Sequence, residues 1–590
     1  MPSGTEPVQH GTDAQTAALE PAVPQSESPI SQSLLPDTLD PQPLVSPPTI
    51  APLLALQPAD SLVPEPPSAL PRGYGLRGAY RDPFVWVTSF AVLGAYLGIS
   101  LSRLRQLNPS SWDLAIYTEY VKQSASFHAP VADIRAAGFN LLGDHFQPIV
   151  MAIGPFFRLF PSAATLVTAQ ALLAAVSVFP VAQVAREKLG TGPSRVVAVA
   201  YGLSWGLQQM ANFDFHEIAF AVPLLAFSLS ALVRGHLKAT VWWALPLVFV
   251  KEDQGFTVAA IGLYLTLTGL RAAREPSGLD PLEALAAPEH ASRPVPYDDP
   301  DGSRRIRAGQ FLLIWGFAWS FLAIGVIIPH FNPGHQYDYW SDGGILAPGG
   351  HPTVTGLAGQ FFHAWPDKLQ TIVVLLLPTA FIALRSPLIM IAGPSLLLRF
   401  LSTNSSFWGT YWHYNATVMP IIFIAAVDAM ARISAATDAD DPAALASWAS
   451  GSQGARRAVL AGARRYGAAM MLAITVPLAF QFPLSTLWSA QTYRISSHVK
   501  SADAAIAQVP DGATVQATLD LLAPLAARTD TFWIGNKGNP RTQYIVFDGQ
   551  DSGYTSAISN VPAFIAQIYP GHVYTQIFRS GDVYVFRRTP

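Results

Sequence analysis

From Phe84 onward the chain is a succession of apolar runs divided by short polar segments, and this pattern sets the solvent in which it can fold. A run of about 17 to 23 apolar residues is long enough to cross roughly 30 Å of hydrocarbon as a helix, in which every backbone polar group is satisfied internally. Candidate spans are 84–102, 163–185, 194–211, 217–233, 238–250, 254–270, 309–329, 369–384, 387–401, 416–431 and 466–486. The expectation is therefore an α-helical polytopic membrane protein with about eleven transmembrane helices. Residues 146–160 (FQPIVMAIGPFFRLF) are shorter and carry Pro148, Pro155 and Arg158, so they read either as a twelfth span or as a helix lying in the interface.

Composition agrees, since 50% of residues are hydrophobic and 13% are charged, against about 25% charged in soluble domains. The 36 Lys and Arg against 39 Asp and Glu leave a net charge of −3, and without a basic excess nucleic acid is a poor partner. The absence of cysteine excludes disulfides, thiolate metal sites and cysteine nucleophiles, so a metal would have to use His, Asp or Glu. There is no phosphate-binding Gly-x-x-x-x-Gly-Lys-Ser/Thr motif, which argues against an ATP-driven pump. Motifs of serine hydrolases and zinc proteases are also missing.

Residues 1–75 are rich in Pro, Ser and Gln and read as a disordered tail without the layout of a signal peptide. Residues 495–590 read as a small α/β domain. HVKSADAAIAQVP suggests a helix, TVQAT, TFWIG and TQYIVFDG are strand-like, and VYTQIFRSGDVYVFRR reads as a hairpin turning at Ser580-Gly581. No catalytic motif stands out in this domain.

If 146–160 does not cross, Arg186, Lys188, Arg195, Arg234, Lys238, Arg271, Arg274, Arg304, Arg305, Arg307, Arg385, Arg432, Arg456, Arg457, Arg464 and Arg465 all fall on the side of the tail. By the positive-inside rule that side is cytoplasmic. Loops 103–162, 212–216, 330–368 and 402–415, with everything after 487, then lie outside and hold most of the unusual acidic, His and aromatic residues.

Four clusters could carry chemistry. In Ser111-Trp112-Asp113 and the following Leu114 to Tyr120, apolar residues recur at helical spacing, giving an amphipathic surface helix with Ser111 as a plausible N-cap. Asp113 sits in its first turn as a general base, a metal ligand or simply a cap. Asp144-His145 could bind a divalent cation, act as an acid–base pair, or form an ordinary loop hydrogen bond. Asp214, His216 and Glu217 lie at the outer junction of two spans, where three ionisable groups are costly unless they line a polar cavity or an exposed turn.

The fourth cluster is Lys251-Glu252-Asp253-Gln254-Gly255. About 13 residues from Leu237 at 1.5 Å each reach only roughly 20 Å, so the hairpin apex should dip inside the membrane. Lys251 could there meet a phosphate with Glu252 or Asp253 in support, or the group could neutralise itself. Aromatic loops 329–340 and 402–414 suit sugar rings or an interfacial belt, and His413 is the best single candidate within them.

WDLAIYTEY, NLLGDHFQP, NFDFHEIAF and VKEDQG, followed by the small α/β part, resemble an uncharacterised bacterial family of polytopic membrane proteins known as a domain of unknown function, over roughly 84–590. That family in turn resembles the GT-C class of integral membrane glycosyltransferases, which includes the lipid A aminoarabinose transferase and protein mannosyltransferases. The resemblance implies a GT-C-like fold, a polyprenyl-phosphate sugar donor, Asp113 and Glu119 as acidic residues of the first external loop, and Lys251 with Gly255 at a short hairpin near the donor phosphate. The adjacent acidic pair of many such enzymes is missing, since Leu114 follows Asp113, and the FDFHE block is not a general signature of the class.

The expectation for function is hexosyl or pentosyl transfer on the outer face of a bacterial inner membrane, to a glycan, lipid or protein acceptor. Asp113 and Glu119 are the catalytic candidates. Lys251, Glu252, Asp253, His216, Glu217 and His413 would bind substrate, and Asp144, His145 and Asp214 could hold a divalent cation, the one cofactor considered. The alternatives are a transporter or lipid flippase using the intramembrane charges, and a scaffold that presents the C-terminal domain to a partner.

Overall fold

The computed structural model describes residues 78–274, 302–340, 353–438, 452–550, 558–571 and 573–589. The tail expected over 1–75 lies outside the described residues, and the described residues form one compact unit.

Among the described residues five helices are long and apolar enough to cross a membrane, or six if the bent pair Ser405–Asn415 and Val418–Ser434 counts as one span. The five are Pro83–Arg105, Ala163–Leu189, Glu217–Arg234, Gln254–Arg274 and Ser303–Phe331. This corrects the expected eleven or twelve. The remaining apolar runs are short or are broken as helices, mostly by proline and turn residues, which end hydrogen-bonded helix without lowering hydropathy.

The run 194–211 divides into helices Thr191–Gly202 and Trp205–Asn212. Run 238–250 changes at Leu245-Pro246 from α-helix to a 3-10 turn, and the whole segment Leu237–Phe249 is too short to cross. In 369–384 the helix Trp365–Leu376 gives way to Pro378 and two left-handed residues, Ala380 and Phe381, which turn the chain. Run 387–401 is a 3-10 segment Pro387–Ala392 followed by Gly393–Leu401, and 466–486 is cut where helix Ser452–Ala479 ends before Pro483. Residues 146–160 form only the short segment Pro148–Leu159.

Ion pairs gather the basic ends of several helices. Asp82 pairs with Arg186 at 3.1 Å and Arg195 at 2.9 Å, and Glu187 with Arg234 at 2.7 Å. The start of Pro83–Arg105 therefore lies beside the end of Ala163–Leu189, with the end of Glu217–Arg234 next to it.

The helices Gln254–Arg274 and Ser303–Leu322 pack backbone to backbone. Gly255, Gly262 and Gly269 recur every seventh residue on one, and Gly302, Gly309 and Gly316 do so on the other. A Cβ on Gly262 would stand 2.6 Å from the Gly309 carbonyl oxygen, one on Gly309 2.5 Å from that of Gly262, and one on Gly316 2.2 Å from that of Gly255. Small residues at such spacing let membrane helices approach closely enough for dispersion to hold them together. Replacing Gly309 by Leu is expected to cost about 1–3 kcal/mol or more by forcing the helices apart. Gly325→Ala, at a position with nothing within 4 Å, should leave the thermal midpoint in detergent unchanged. Equal midpoints for the two variants would refute the close packing.

The C-terminal region is α/β. Its strands are β1 (Thr514–Ala517), β2 (Asp530–Trp533), β3 (Tyr544–Asp548), β4 (Tyr574–Ser580) and β5 (Val583–Arg588), in the order β2-β1-β3-β5-β4. β1 runs parallel to β2 and β3, and β5 is antiparallel to β3 and β4. The helix read in HVKSADAAIAQVP is Ser497–Ile506, and the final hairpin turns at Gly581-Asp582. Leu114, Ala115 and Val121 of helix Asp113–Ala125 share one apolar core with Val515, Leu521 and Val585, which seats this region on the segment that follows the first long helix.

Candidate active site

The surface helix spans Asp113–Ala125. Ser111 Oγ accepts from the Asp113 N–H at 3.0 Å, fixing the first turn. Around it the loop 212–216 is clamped from two sides. Asp214, in the left-handed region at φ 65°, accepts from the N–H of Ser110 at 2.7 Å and of Ser111 at 3.3 Å. Gln170 donates to the Asp214 carbonyl and accepts from the His216 N–H at 3.0 Å. Burial raises the Asp214 carboxyl to about 6, against the opposing pull of Arg103 and of the two serine N–H groups.

The clamped loop presents His216 and Glu217 inward. Glu217, fully buried, meets the Lys251 ammonium at 3.0 Å, and its other oxygen lies against His216 Nδ1 and accepts from the Tyr117 hydroxyl. The same hydroxyl lies 2.9 Å from Gln147 Oε1. His413 stacks on His216 with ring centroids 3.8 Å apart, and both of its nitrogens are buried without a hydrogen-bond partner among the described residues. Arg399 orders the loop carrying His413, donating to the carbonyls of Phe407 and Tyr414 and to Asn415 Oδ1. Asp113 lies within electrostatic reach of His216, Glu217 and Lys251. Burial raises its carboxyl above the ordinary range, with the nearby His216 pulling the other way. A carboxylate on helix Asp113–Ala125, a buried ammonium and two stacked imidazoles thus belong to one electrostatically linked cluster.

A second group adjoins the first through the sequence neighbours Lys251 and Glu252. His145 Nδ1 pairs with Glu252 Oε1 at 2.7 Å, which also accepts from Tyr337 Oη at 2.9 Å, while Glu252 Oε2 accepts from the Phe146 N–H at 3.1 Å. Burial alone would lower the His145 pKa, but the Glu252 carboxylate outweighs it and holds the imidazole above its usual value. Asp144 accepts from Tyr339 Oη at 3.3 Å and lies 3.9 Å from Arg135. Asp253 accepts from Gln254 at 3.2 Å.

Lys251, His216, Glu217 and His413 are thus linked with Asp113, whereas Glu252 belongs to the adjoining group around His145 and Asp253 pairs with Gln254. Asp144, His145 and Asp214 do not converge on a common ligand position. Among the described residues the one such group is His498, Asp520 and Asp548 in the C-terminal region, whose ligand atoms lie within 4.8 Å of one another and could hold a metal ion. Tyr117, Gln147, Gln170, Arg399 and Asn415 hold the cluster and its loops in place without having been singled out in the sequence. Tyr117, four residues after Asp113 on the same helical face, was the one that spacing could have found.

Glu119 faces elsewhere. Six residues beyond Asp113 the helix has turned it to the other side, where it accepts from the N–H of Ile134 at 3.0 Å and of Thr531 in β2 at 3.3 Å. Burial raises its carboxyl from 4.5 to about 8, with Lys122 and the two N–H groups opposing and Asp133 adding to the rise. A carboxyl whose folded pKa is raised contributes stability that is complete below its unfolded value and is lost as pH climbs through the folded one. The thermal midpoint should therefore fall between about pH 4.5 and 8, and Glu119→Gln should flatten that slope. A Gln variant with the wild-type slope would show that Glu119 is ionised when folded.

The family described as predicted membrane protein (DUF2079) matches residues 103–562. No curated protein matches the chain. Among solved structures, the chain is similar to ArnT from Cupriavidus metallidurans bound to undecaprenyl phosphate, at 13% identity and a TM-score of 0.47, covering 85% of this chain and 98% of that one. It is also similar to the oligosaccharyltransferase of Archaeoglobus fulgidus tethered to an acceptor peptide, at 11% identity and a TM-score of 0.32, covering 87% and 74%. AglB from the same organism, in complex with an inhibitory peptide and a dolichol-phosphate, gives 13% identity and a TM-score of 0.31, covering 85% and 74%.

Proposed function

We propose that this chain, which belongs to the DUF2079 family of predicted membrane proteins, is an integral membrane glycosyltransferase that moves a hexosyl or pentosyl group from a polyprenyl-phosphate donor to an extracytoplasmic acceptor. The observation that carries this reading is the linked cluster in which Lys251 pairs with the buried Glu217 while Asp113, on helix Asp113–Ala125, lies within electrostatic reach of both. The sequence resemblance to GT-C enzymes supports it. A greasy donor also accounts for a polar site placed among apolar helices.

In this mechanism the acceptor hydroxyl oxygen attacks the anomeric carbon while the bond from that carbon to the phosphate oxygen breaks, with inversion. The hydroxyl proton passes to the Asp113 carboxylate, whose raised pKa makes it a better base than a solvated aspartate. The electron pair of the broken bond stays on the polyprenyl phosphate, and the Lys251 ammonium stabilises that charge in a site shielded from water. Glu217 holds Lys251 in place, and Tyr117 and His216 orient Glu217. On this reading the basic helix ends face the cytoplasm and the C-terminal α/β region lies outside.

The test compares lipid-linked sugars and surface glycans by mass spectrometry in cells with and without the gene. Accumulation of one polyprenyl-linked sugar together with loss of one residue from a glycan is the expected result. Unchanged profiles would rule out glycosyl transfer and leave the intramembrane charges to be tested in transport.

A further inference from the structure

The C-terminal region carries a second constellation that the transferase reading does not use. In its sheet the chain leaves β1 toward β2 on one side through helix Leu519–Ala526, then returns past β1 to form β3 on the other side. β1 and β3 thus flank a switch point, and in open parallel sheets the crevice beyond the carboxyl ends of such strands is where ligands bind.

Two carboxylates stand in that crevice. Asp520 follows the end of β1 and is 4% exposed, and Asp548 is the last residue of β3 and fully buried. Thr518 ties them into one unit, its hydroxyl donating to Asp520 Oδ1 at 3.0 Å and accepting from the Asp548 N–H at 3.1 Å. His498, on helix Ser497–Ile506, brings Nε2 to 2.6 Å from Asp548 Oδ2, and its side chain is partly open to solvent. The ligand atoms of the three residues lie within 4.8 Å of one another, so one imidazole nitrogen and two carboxylate oxygens can turn to a single ion with a side left open.

We propose that His498, Asp520 and Asp548 form a divalent cation site for a first-row metal, with Zn²⁺ the best fit and Mn²⁺ weaker. Three protein donors of mixed nitrogen and oxygen type, plus an open position, are a zinc arrangement. An imidazole donor disfavours Ca²⁺ and Mg²⁺, which take oxygen ligands. An ion there ties the helix before β1, the loop after β1 and the end of β3 into one body. Leu521, next to Asp520, lies in the core shared with Leu114 and Val121 of the surface helix. The ion would therefore brace the region that seats the helix carrying Asp113, without touching substrate.

The experiment uses the full chain in nanodiscs, stripped with chelator and titrated with Zn²⁺. Metal per chain is measured after gel filtration, and proteolysis after residue 495 is followed with and without the ion. The expected result is one zinc per chain and slower cleavage of the loaded protein. His498→Ala, at a partly exposed position that should not affect folding, should weaken binding by more than the roughly 10–100-fold that follows loss of an outer-shell partner. Asp548→Asn should do the same, and Asp144→Asn should bind zinc as the wild type does. A wild-type chain that takes up no zinc, or a His498→Ala chain that binds it with wild-type affinity, would overturn the assignment.

Discussion

Cells carrying Asp113→Asn are expected to accumulate the same lipid-linked sugar as cells lacking the gene, while the protein reaches the membrane in normal amount. The substitution keeps the shape of the side chain and leaves in place the bond from the Asp113 N–H to Ser111 Oγ that fixes the first turn. Helix Asp113–Ala125 is also held by Leu114, Ala115 and Val121 in the core it shares with the C-terminal region, so the fold does not depend on the carboxylate. What disappears is the proton acceptor, and loss of a general base typically costs about 10²–10⁴ in rate. The wild-type rate should rise with pH through the raised Asp113 pKa, because only the ionised carboxylate can take the proton. That acid limb should lie above the ordinary aspartate range, and the residual rate of Asp113→Asn should lack it. Full transfer by Asp113→Asn would remove Asp113 from the chemistry and the proposed mechanism with it.

The membrane character was legible because hydropathy is a local property, yet the number of crossings was not. Helix length depends on where hydrogen bonding stops, and Pro246, Pro378, Ala380 and Phe381 stop it inside runs whose apolar content is uninterrupted. The site divided along the same line. Asp214, His216 and Glu217 stood out as neighbours in sequence, and so did Lys251 to Asp253. Their pairing did not, since Glu217 finds Lys251 and Tyr117, and Glu252 finds His145, across a hundred residues or more in two of these three cases. The helix of Asp113 was legible from its period, while the opposite facing of Glu119 needed a partner surface. Thr531 in β2 supplies that surface, and nothing in the local sequence announces it. The same holds for His498, Asp520 and Asp548, which meet only because a parallel sheet brings the ends of β1 and β3 side by side.

Lys251→Met should be the most damaging single change in the cluster around Glu217. Glu217 is fully buried and Lys251 has only 14% of its side chain exposed, so removing the ammonium leaves a carboxylate facing His216 and Tyr117 without the ammonium that pairs with it. Breaking a buried ion pair from one side costs about 3–5 kcal/mol, and a markedly lower thermal midpoint in detergent is expected along with loss of transfer. That result alone would not separate a structural lysine from one that meets the donor. The double variant Lys251→Met/Glu217→Gln does so, because a neutral amide can keep the Tyr117 hydrogen bond and needs no cation. Its midpoint should recover most of the loss, as replacing both members of a buried pair is often close to neutral. Its transfer should stay absent, since among the described residues the neighbouring groups are already engaged: Glu252 and Asp253 are acidic, His145 is paired with Glu252, and Arg399 is committed to Phe407, Tyr414 and Asn415. If the stable double variant transfers sugar at the wild-type rate, Lys251 serves only to neutralise Glu217, and the donor phosphate must be held elsewhere.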